Sequence, residues 1–343
     1  MTTTITKQQD IPTFDVAIIG AGLAGSLCAK QLSSAGFSVC VIDKSRGSGG
    51  RAGSKRISET ISCELGAPYI FASQPETKAL FKNLVKTGVA AQWKQISSKQ
   101  IPGFVGTPKM SSLTRHWLDQ VPFITSTKVQ QMDRFLEADG QLVWLLRNDQ
   151  YQACAKATKV IIATPAHQAA MLLATHSDLA VLLLRANQAC KQYQSQWAMW
   201  LETQPSDLNA IIELKDSPIQ RMIKDNYKPA REGAEVDRWV IQASPEWTAE
   251  HLDQDKQWVA QALQQAFAEH TEQRVRQHGD PHRWFFSRYT ENRGNKTYAW
   301  TPEHQVGLAA DWLCQGDAEG ALISALTLTD WIINNPASLQ TEL

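Results

Sequence analysis

The residues whose types and spacing promise chemistry begin with three glycines. Gly20-Ala21-Gly22-Leu23-Ala24-Gly25 has the G-x-G-x-x-G spacing, and an acid, Asp43, follows it. In such a run Gly20 permits a tight turn, Gly22 lets the backbone approach a pyrophosphate, and Gly25 lets helix pack on strand. The phosphates then meet a helix N-terminus and its partial positive charge. Asp43 would accept hydrogen bonds from the hydroxyls of an adenosine ribose. A second glycine-rich run, Asp43-Lys44-Ser45-Arg46-Gly47-Ser48-Gly49-Gly50-Arg51, follows at once. Its backbone N–H groups would turn towards the same pyrophosphate, and Arg51 brings a fixed cation. The chemistry so far is the binding of an adenine dinucleotide. Nucleophilic catalysis has no comparable arrangement: His116, His167, His251 and His282 stand without a paired nucleophile motif. The six cysteines are scattered, with no CxxC pair and no His cluster at metal-ligand spacing, so they read as reduced thiols and no metal is expected.

These loops need elements to hold them. Val16 to Ile19 is a short apolar strand, Leu23 to Ala35 has helical spacing closed by Gly36, and Ser38 to Ile42 is a second, β-branched strand. The fingerprint therefore lies between strand and helix, where its meaning requires it. From Phe135 to Val160 the pattern is strand-like, and Pro165 stops the run Lys159-Val-Ile-Ile-Ala-Thr. Helical stretches follow at Ala166 to Ala174 and Leu179 to Ala189. Roughly Ala166 to Gln277 mixes strands at Trp197 to Leu201 and Trp239 to Gln242 with an amphipathic helix near Asp253 to His270, and reads as a separate cap. A strand at Val306 to Ala310 and a helix from about Glu319 to Ile333 close the chain.

With 343 residues, 43% hydrophobic and 20% charged, the composition is that of a folded protein with a sizeable core. Lys plus Arg and Asp plus Glu balance at 34 each, which disfavours nucleic acid and anionic membrane as partners. No apolar run has the length of a membrane span, and MTTTITKQQD lacks the features of a signal peptide, so the expected location is cytoplasmic.

The segment ending Gly49-Gly50-Arg51 resembles the GGR loop of amine oxidase type flavoproteins, which selects FAD over NAD as the resident cofactor. Ala310-Asp311-Trp312, followed by Ala318-Glu319-Gly320-Ala321, resembles the C-terminal flavin motif of that class. There the Asp binds a ribityl hydroxyl and the helix N-terminus faces the flavin C2 carbonyl. More specifically, the chain is similar to the bacterial renalase-like proteins of the amine oxidase superfamily. The likeness rests on DKSRGSGGRAGSKR (43–56), ELGAPYIFA (64–72), VGTPKMSSLTR (105–115), VIIATPAHQAAMLL (160–173), KPAR (228–231) and HRWFFSR (282–288), in the family's order.

The resemblance implies an α/β fold: a Rossmann-type FAD-binding domain of the p-hydroxybenzoate hydroxylase kind with an inserted mixed-sheet substrate domain. The FAD-binding parts would be 1–75, 105–165 and 278–343, with a cap segment at 76–104 and the substrate domain at 166–277. Cofactor contacts are expected from Gly20, Ala21, Gly22, Gly25, Asp43, Lys44, Gly49, Gly50, Arg51, Leu65, Gly66, Ala67, Val129, Asp311, Glu319, Gly320 and Ala321. The implied reaction oxidises the 2- and 6-dihydro isomers of NAD(P)H by hydride transfer to flavin N5, and molecular oxygen becomes hydrogen peroxide. Such a reaction needs alignment and exclusion of water more than an acid or base.

Trp284, Tyr69 and Gln242 are the active-site candidates. Trp284 would wall the flavin face and stack the substrate, or, as one of 12 tryptophans, fill core or surface. Lys228 and Arg231 would hold a dinucleotide phosphate or form a solvated basic face. Gln242 stands where the family often has His, and it cannot titrate. Ala310 replaces the usual Gly, and Asp317 stands where Arg is common before the flavin-facing helix. Two other functions stay open: a flavin amine oxidase or desaturase of the same superfamily, and a non-catalytic FAD-binding protein.

Overall fold

The structure is a computed structural model that describes residues 11–231, 235–290 and 297–335. The elements that position the site are, in chain order, β1 (Thr13–Ile19), α1 (Leu23–Ser34), β2 (Val39–Ile42), α2 (Pro75–Lys86), β3 (Ala153–Ile162), β4 (Tyr193–Thr203), β5 (Asp237–Ala243), β6 (His282–Tyr289), β7 (Val306–Leu308) and α3 (Ala318–Asn334).

β1 is central in an eight-stranded sheet, parallel to β2 on one side and β3 on the other. A strand buried on both faces must be apolar throughout, and Val16 to Ile19 is. Alternation sends Val16 and Ile18 into one core with Leu27 and Leu32 of α1 and Leu322 and Leu328 of α3. Ala17 and Ile19 join Trp144, Leu173 and Trp312 in the other core. The ten-residue β3 has two partners on its far edge: its first half pairs antiparallel with Leu142–Asn148, and Val160 to Ile162 pair in parallel with β7.

A second sheet of six strands is built around β4, which pairs antiparallel with β5 on one edge and with Gln277–His278 and β6 on the other. On one face Trp197, Met199, Leu201, Trp239 and Ile241 pack against Val259, Leu263 and Phe267 of the helix Lys256–Thr271. That helix starts later than its periodicity predicts because the Asp255 carboxylate accepts from the backbone N–H groups of Gln257 and Trp258. The opposite face, with Ala198, Trp200 and Val240, meets Cys63 and Leu65. Gln242, two residues on from Val240 along β5, shares that face.

Two expected boundaries shift. His282–Tyr289 was expected to return to the first domain, yet β6 pairs with β4, Gln196 opposite Trp284, so the second sheet runs to residue 289. Residues 76–104, expected to go with the cap, place Phe81, Leu84, Trp93 and Phe104 in the same core as Val16 and Ile18. The apolar stripe of α2 is satisfied there. Among the described residues no helix is long and apolar enough to cross a membrane, and no group of three or more side chains has metal-ligand geometry. The six cysteines are free thiols.

Candidate functional site

The first glycine loop leaves β1 at Gly20, whose N–H donates to Ile42 O at 2.8 Å and so ties the loop to the end of β2. Gly25 touches this loop so closely that a Cβ would lie 1.9 Å from Gly20 O. A Cβ on Gly22, by contrast, would meet no atom within 4 Å. The second loop is strapped to the first by Gly49 N–H donating to Ala21 O at 2.8 Å, and a Cβ on Gly50 would lie 3.4 Å from Gly22 Cα. The open space over Gly22 is therefore bounded by two backbone loops, which is the cradle a pyrophosphate requires.

Asp43 ends β2 with its carboxylate accepting from Ala21 N (2.7 Å) and Ser45 N (2.7 Å). Each oxygen keeps a further acceptor direction for a ribose hydroxyl. Lys44 beside it is exposed. Val129 follows two residues after Thr127, whose N–H donates to Asp43 O at 3.0 Å, so the strand it opens starts from the same corner.

Arg51 is the node of the second loop. Its guanidinium donates through Nη1 to Asp311 Oδ2 (2.9 Å) and through Nη2 to Oδ1 (2.5 Å), and Nη1 also reaches Ser287 O (3.1 Å) on β6. Burial works against the charge, but the paired Asp311 outweighs it and raises the guanidinium pKa further. Arg51 and Asp311 were expected to serve the cofactor separately; they form one fork-to-fork pair, which fixes the far wall of the site. Arg51 O accepts from Ala67 N at 2.8 Å, and a Cβ on Gly66 would stand 2.0 Å from that same oxygen.

The fold is shared with known oxidases. It aligns with a putative protoporphyrinogen oxidase from Exiguobacterium sp. 255-15 at a TM-score of 0.72 and 10% identity, covering 94% of this chain and 99% of that one. Putrescine oxidase in its wild-type form bound to putrescine aligns at 0.67 and 10% identity over 94% and 99%. A double mutant of putrescine oxidase gives 0.66 and 11% over 94% and 100%. Residues 18–84, which contain both glycine loops, match the NAD(P)-binding Rossmann-like domain family.

Asp317, which stands where a cation is common, is the N-cap of α3: its carboxylate accepts from Gly320 N at 2.8 Å, and burial raises its pKa. Gly320 and Ala321 lie in the first turn. Glu319 does not aim its side chain at a cofactor. Its carboxylate accepts from Ser73 N (2.6 Å), Gln74 N (3.0 Å), Ser73 Oγ (2.8 Å) and Thr77 Oγ1 (2.5 Å), which caps the N-terminus of α2.

The candidate substrate wall comes together at the Leu65–Gly66 turn. Gln242 Nε2 donates to Gly66 O at 2.6 Å, and Trp284 Nε1 donates to Leu65 O at 3.2 Å. The Trp284 ring lies beside Gly66 and meets His282 edge-on at 4.2 Å between centroids. Burial, with Lys55 and Lys256 adding to it, lowers the His282 pKa and so disfavours the charged ring. Tyr69 stands apart from this pair, with its ring under the Arg221 guanidinium at 5.5 Å and edge-on to Trp93. Arg221 is the strand partner of Gln242, which keeps Tyr69 at the margin of the same wall.

Lys228 and Arg231 are neither a phosphate clamp nor a solvated face. Lys228 is buried, donating to Glu64 Oε2 (2.8 Å) and Asp225 Oδ1 (2.5 Å), and Arg231 Nη2 donates to Glu64 Oε2 at 2.7 Å. Ser54 Oγ (2.9 Å) and Met110 N (3.2 Å) donate to the other oxygen, Glu64 Oε1. Burial raises both carboxyl groups; Lys228 and Arg231 outweigh it at Glu64 and hold that group down to about 2, whereas Asp225 is pushed up to about 6 by burial and by Glu64. Glu64 was missed as a site residue, although a lone acid between Cys63 and Leu65 in an apolar run was the signal available. Tyr193 and His167 pack against each other beside β6. Tyr193 Oη accepts from Ala166 N at 3.2 Å, and His167 stacks on Phe286, the residue before the Arg51-binding carbonyl of Ser287, at 4.3 Å. His251 packs against both Trp247 and Trp258, which also stack on each other, an ordinary packing role.

Proposed function

We propose that the protein is an FAD-dependent oxidoreductase of the renalase-like kind, oxidising 2- or 6-dihydro isomers of NAD(P)H by hydride transfer to the flavin, with oxygen reduced to hydrogen peroxide. When bound, FAD would supply the two-electron acceptor. The double glycine cradle over Gly22, Asp43 at the ribose corner and the Arg51–Asp311 wall are the groups that would hold it. The observation that carries the reading is the make-up of the substrate wall. Gln242, Trp284 and the carbonyls of Leu65 and Gly66 form it, and an amide, an indole and peptide carbonyls do not titrate near neutrality.

A hydride donor needs no proton moved at its reacting carbon, so a wall of fixed, non-titrating groups suits it. Trp284, its N–H engaged by Leu65 O, presents a rigid aromatic surface against which a flat nicotinamide can be aligned. Gln242 locks the Gly66 peptide and so sets the distance from the turn to the loop of Arg51. The second reading, a flavin amine oxidase, draws on the shared fold with putrescine oxidase.

Anaerobic mixing of the purified holoprotein with 6-dihydroNAD(P) and 2-dihydroNAD(P) tests the proposal. Bleaching of the flavin absorbance within seconds is expected. Failure of every isomer to bleach it, with peroxide released from an amine panel, would transfer the assignment to the second reading.

A further inference from the structure

Beside the substrate wall, the hairpin Lys55–Arg56 and Ser62–Cys63 forms a polar cleft of about 100 Å³ with Ser54, Arg56, Ser62, Lys109 and Arg115 in its lining. Glu59 is the one acid among its walls. Among the described residues none of the three cations has an ion-pair partner. They also oppose one another: burial and then Arg115, Arg56 and Arg231 lower the pKa of the Lys109 ammonium. Arg231 approaches from the buried side, with its Nε buried and without a hydrogen-bond partner among the described residues. Glu64, behind Ser54, works the other way on Lys109, but three cations against the one wall acid Glu59 leave a net positive charge that an anion offsets.

We propose that this cleft binds a phosphate group of the phosphorylated substrate, an inference that rests on the dihydronicotinamide reading. Two guanidinium groups and an ammonium, with serine hydroxyls between them, supply the charged donors that a phosphate's oxygens take. The position suits a substrate whose ring lies at Trp284. Ser54 is hydrogen-bonded to Glu64, the residue before Leu65, and Ser62 precedes Leu65 by three residues, at most about 10 Å of extended chain. The reach from a nicotinamide to the phosphate of its own nucleotide falls within that bound. The cleft would then select nucleotides over nucleosides and leave the chemistry to the wall.

Calorimetric titration of the holoprotein with inorganic pyrophosphate at low salt tests the site independently of turnover. Lys109→Gln and Arg115→Gln should each weaken binding about tenfold or more, since each removes a charge-assisted contact. Lys82→Gln, on the exposed face of α2, should leave it unchanged. No binding, or equal binding by all four proteins, overturns the proposal, the second result meaning surface attraction only. In turnover, the cleft variants should raise KM for the dinucleotide isomers at constant kcat and leave the corresponding ribosides unaffected; equal effects on both overturn it. If no isomer bleaches the flavin while pyrophosphate binding still depends on Lys109 and Arg115, the dihydronicotinamide reading fails and the anion site stands.

Discussion

Where the two glycine loops meet, the protein positions its groups with backbone: Gly25 lies on Gly20, Gly49 is strapped to Ala21, and the room over Gly22 is left by missing side chains. Where the hairpin meets the six-stranded sheet, it positions them with buried charge, Glu64 and Asp225 held by Lys228 and Arg231. Backbone placement tolerates little movement and no added atoms. Charge placement tolerates changes of shape but no loss of a partner. The glycine loops are thus set by local chain geometry, whereas the Glu64 cluster, like the Arg51–Asp311 pair, is set by charge balance between segments remote in sequence.

The charge cluster offers the harshest test. Lys228→Met leaves two carboxylates buried with Arg231 alone and is expected to cost about 3–5 kcal/mol in urea unfolding of the holoprotein. Adding Asp225→Asn should return part of that loss; a cost under about 1 kcal/mol for Lys228→Met would mean that packing, not charge, joins the segments. The pH dependence has a defined sign. Glu64, held down to about 2, contributes stability that is present above its ordinary 4.5 and lost as pH falls towards 2. Asp225, pushed up from 3.8 to about 6, binds its proton more tightly folded than unfolded, so its contribution is present below about 4 and lost as pH rises through 6. The Asp225→Asn variant should lose the decline between pH 4 and 6 and keep the one below 4. Unchanged slopes in both windows would separate these groups from stability.

The glycine side breaks differently. Gly25→Ala must displace backbone, since its Cβ would fall 1.9 Å from Gly20 O, and about 1–3 kcal/mol of stability should go with flavin content. Gly22→Ala meets nothing within 4 Å, so its melting temperature without flavin should match the parent while flavin content falls. Both are read from the ratio of visible to ultraviolet absorbance together with thermal melting. Equal flavin retention by Gly22→Ala and the parent would mean that the space over Gly22 is not the cradle.

The same contrast explains what could be read from the sequence. Gly20, Gly25 and Asp43 could be placed because a turn, a close approach and a strand end impose residue types locally, and β1, α1 and β2 bring them together within one short stretch of chain. Lys228 was read as a phosphate clamp or a solvated face because its partner Glu64 lies 164 residues away. Glu319 reads as facing the cofactor, since nothing near it in sequence reveals that Ser73, 246 residues earlier and just ahead of α2, arrives to donate to it. His282–Tyr289 has strand periodicity, and periodicity does not say which sheet edge is free. The ordered motifs and their resemblance point to the fold class, but pairing between distant segments decides where the second sheet begins and ends.

The mildest test concerns the wall itself. If substrate placement there rests on groups that hold no exchangeable charge, flavin reduction by the substrate should be flat between pH 6 and 8. Gln242→His keeps a donor for Gly66 O but adds a group that titrates near 6.5, or lower once buried. It should introduce one inflection on the acid side of that window, with a rate change at neutral pH below about tenfold, about 1.4 kcal/mol. An inflection already present in the parent would show that a titrating group takes part in the native wall. His282, edge-on to Trp284, would then be the group to replace, and the division between a rigid backbone side and a charge-balanced side would have to include a proton at the substrate.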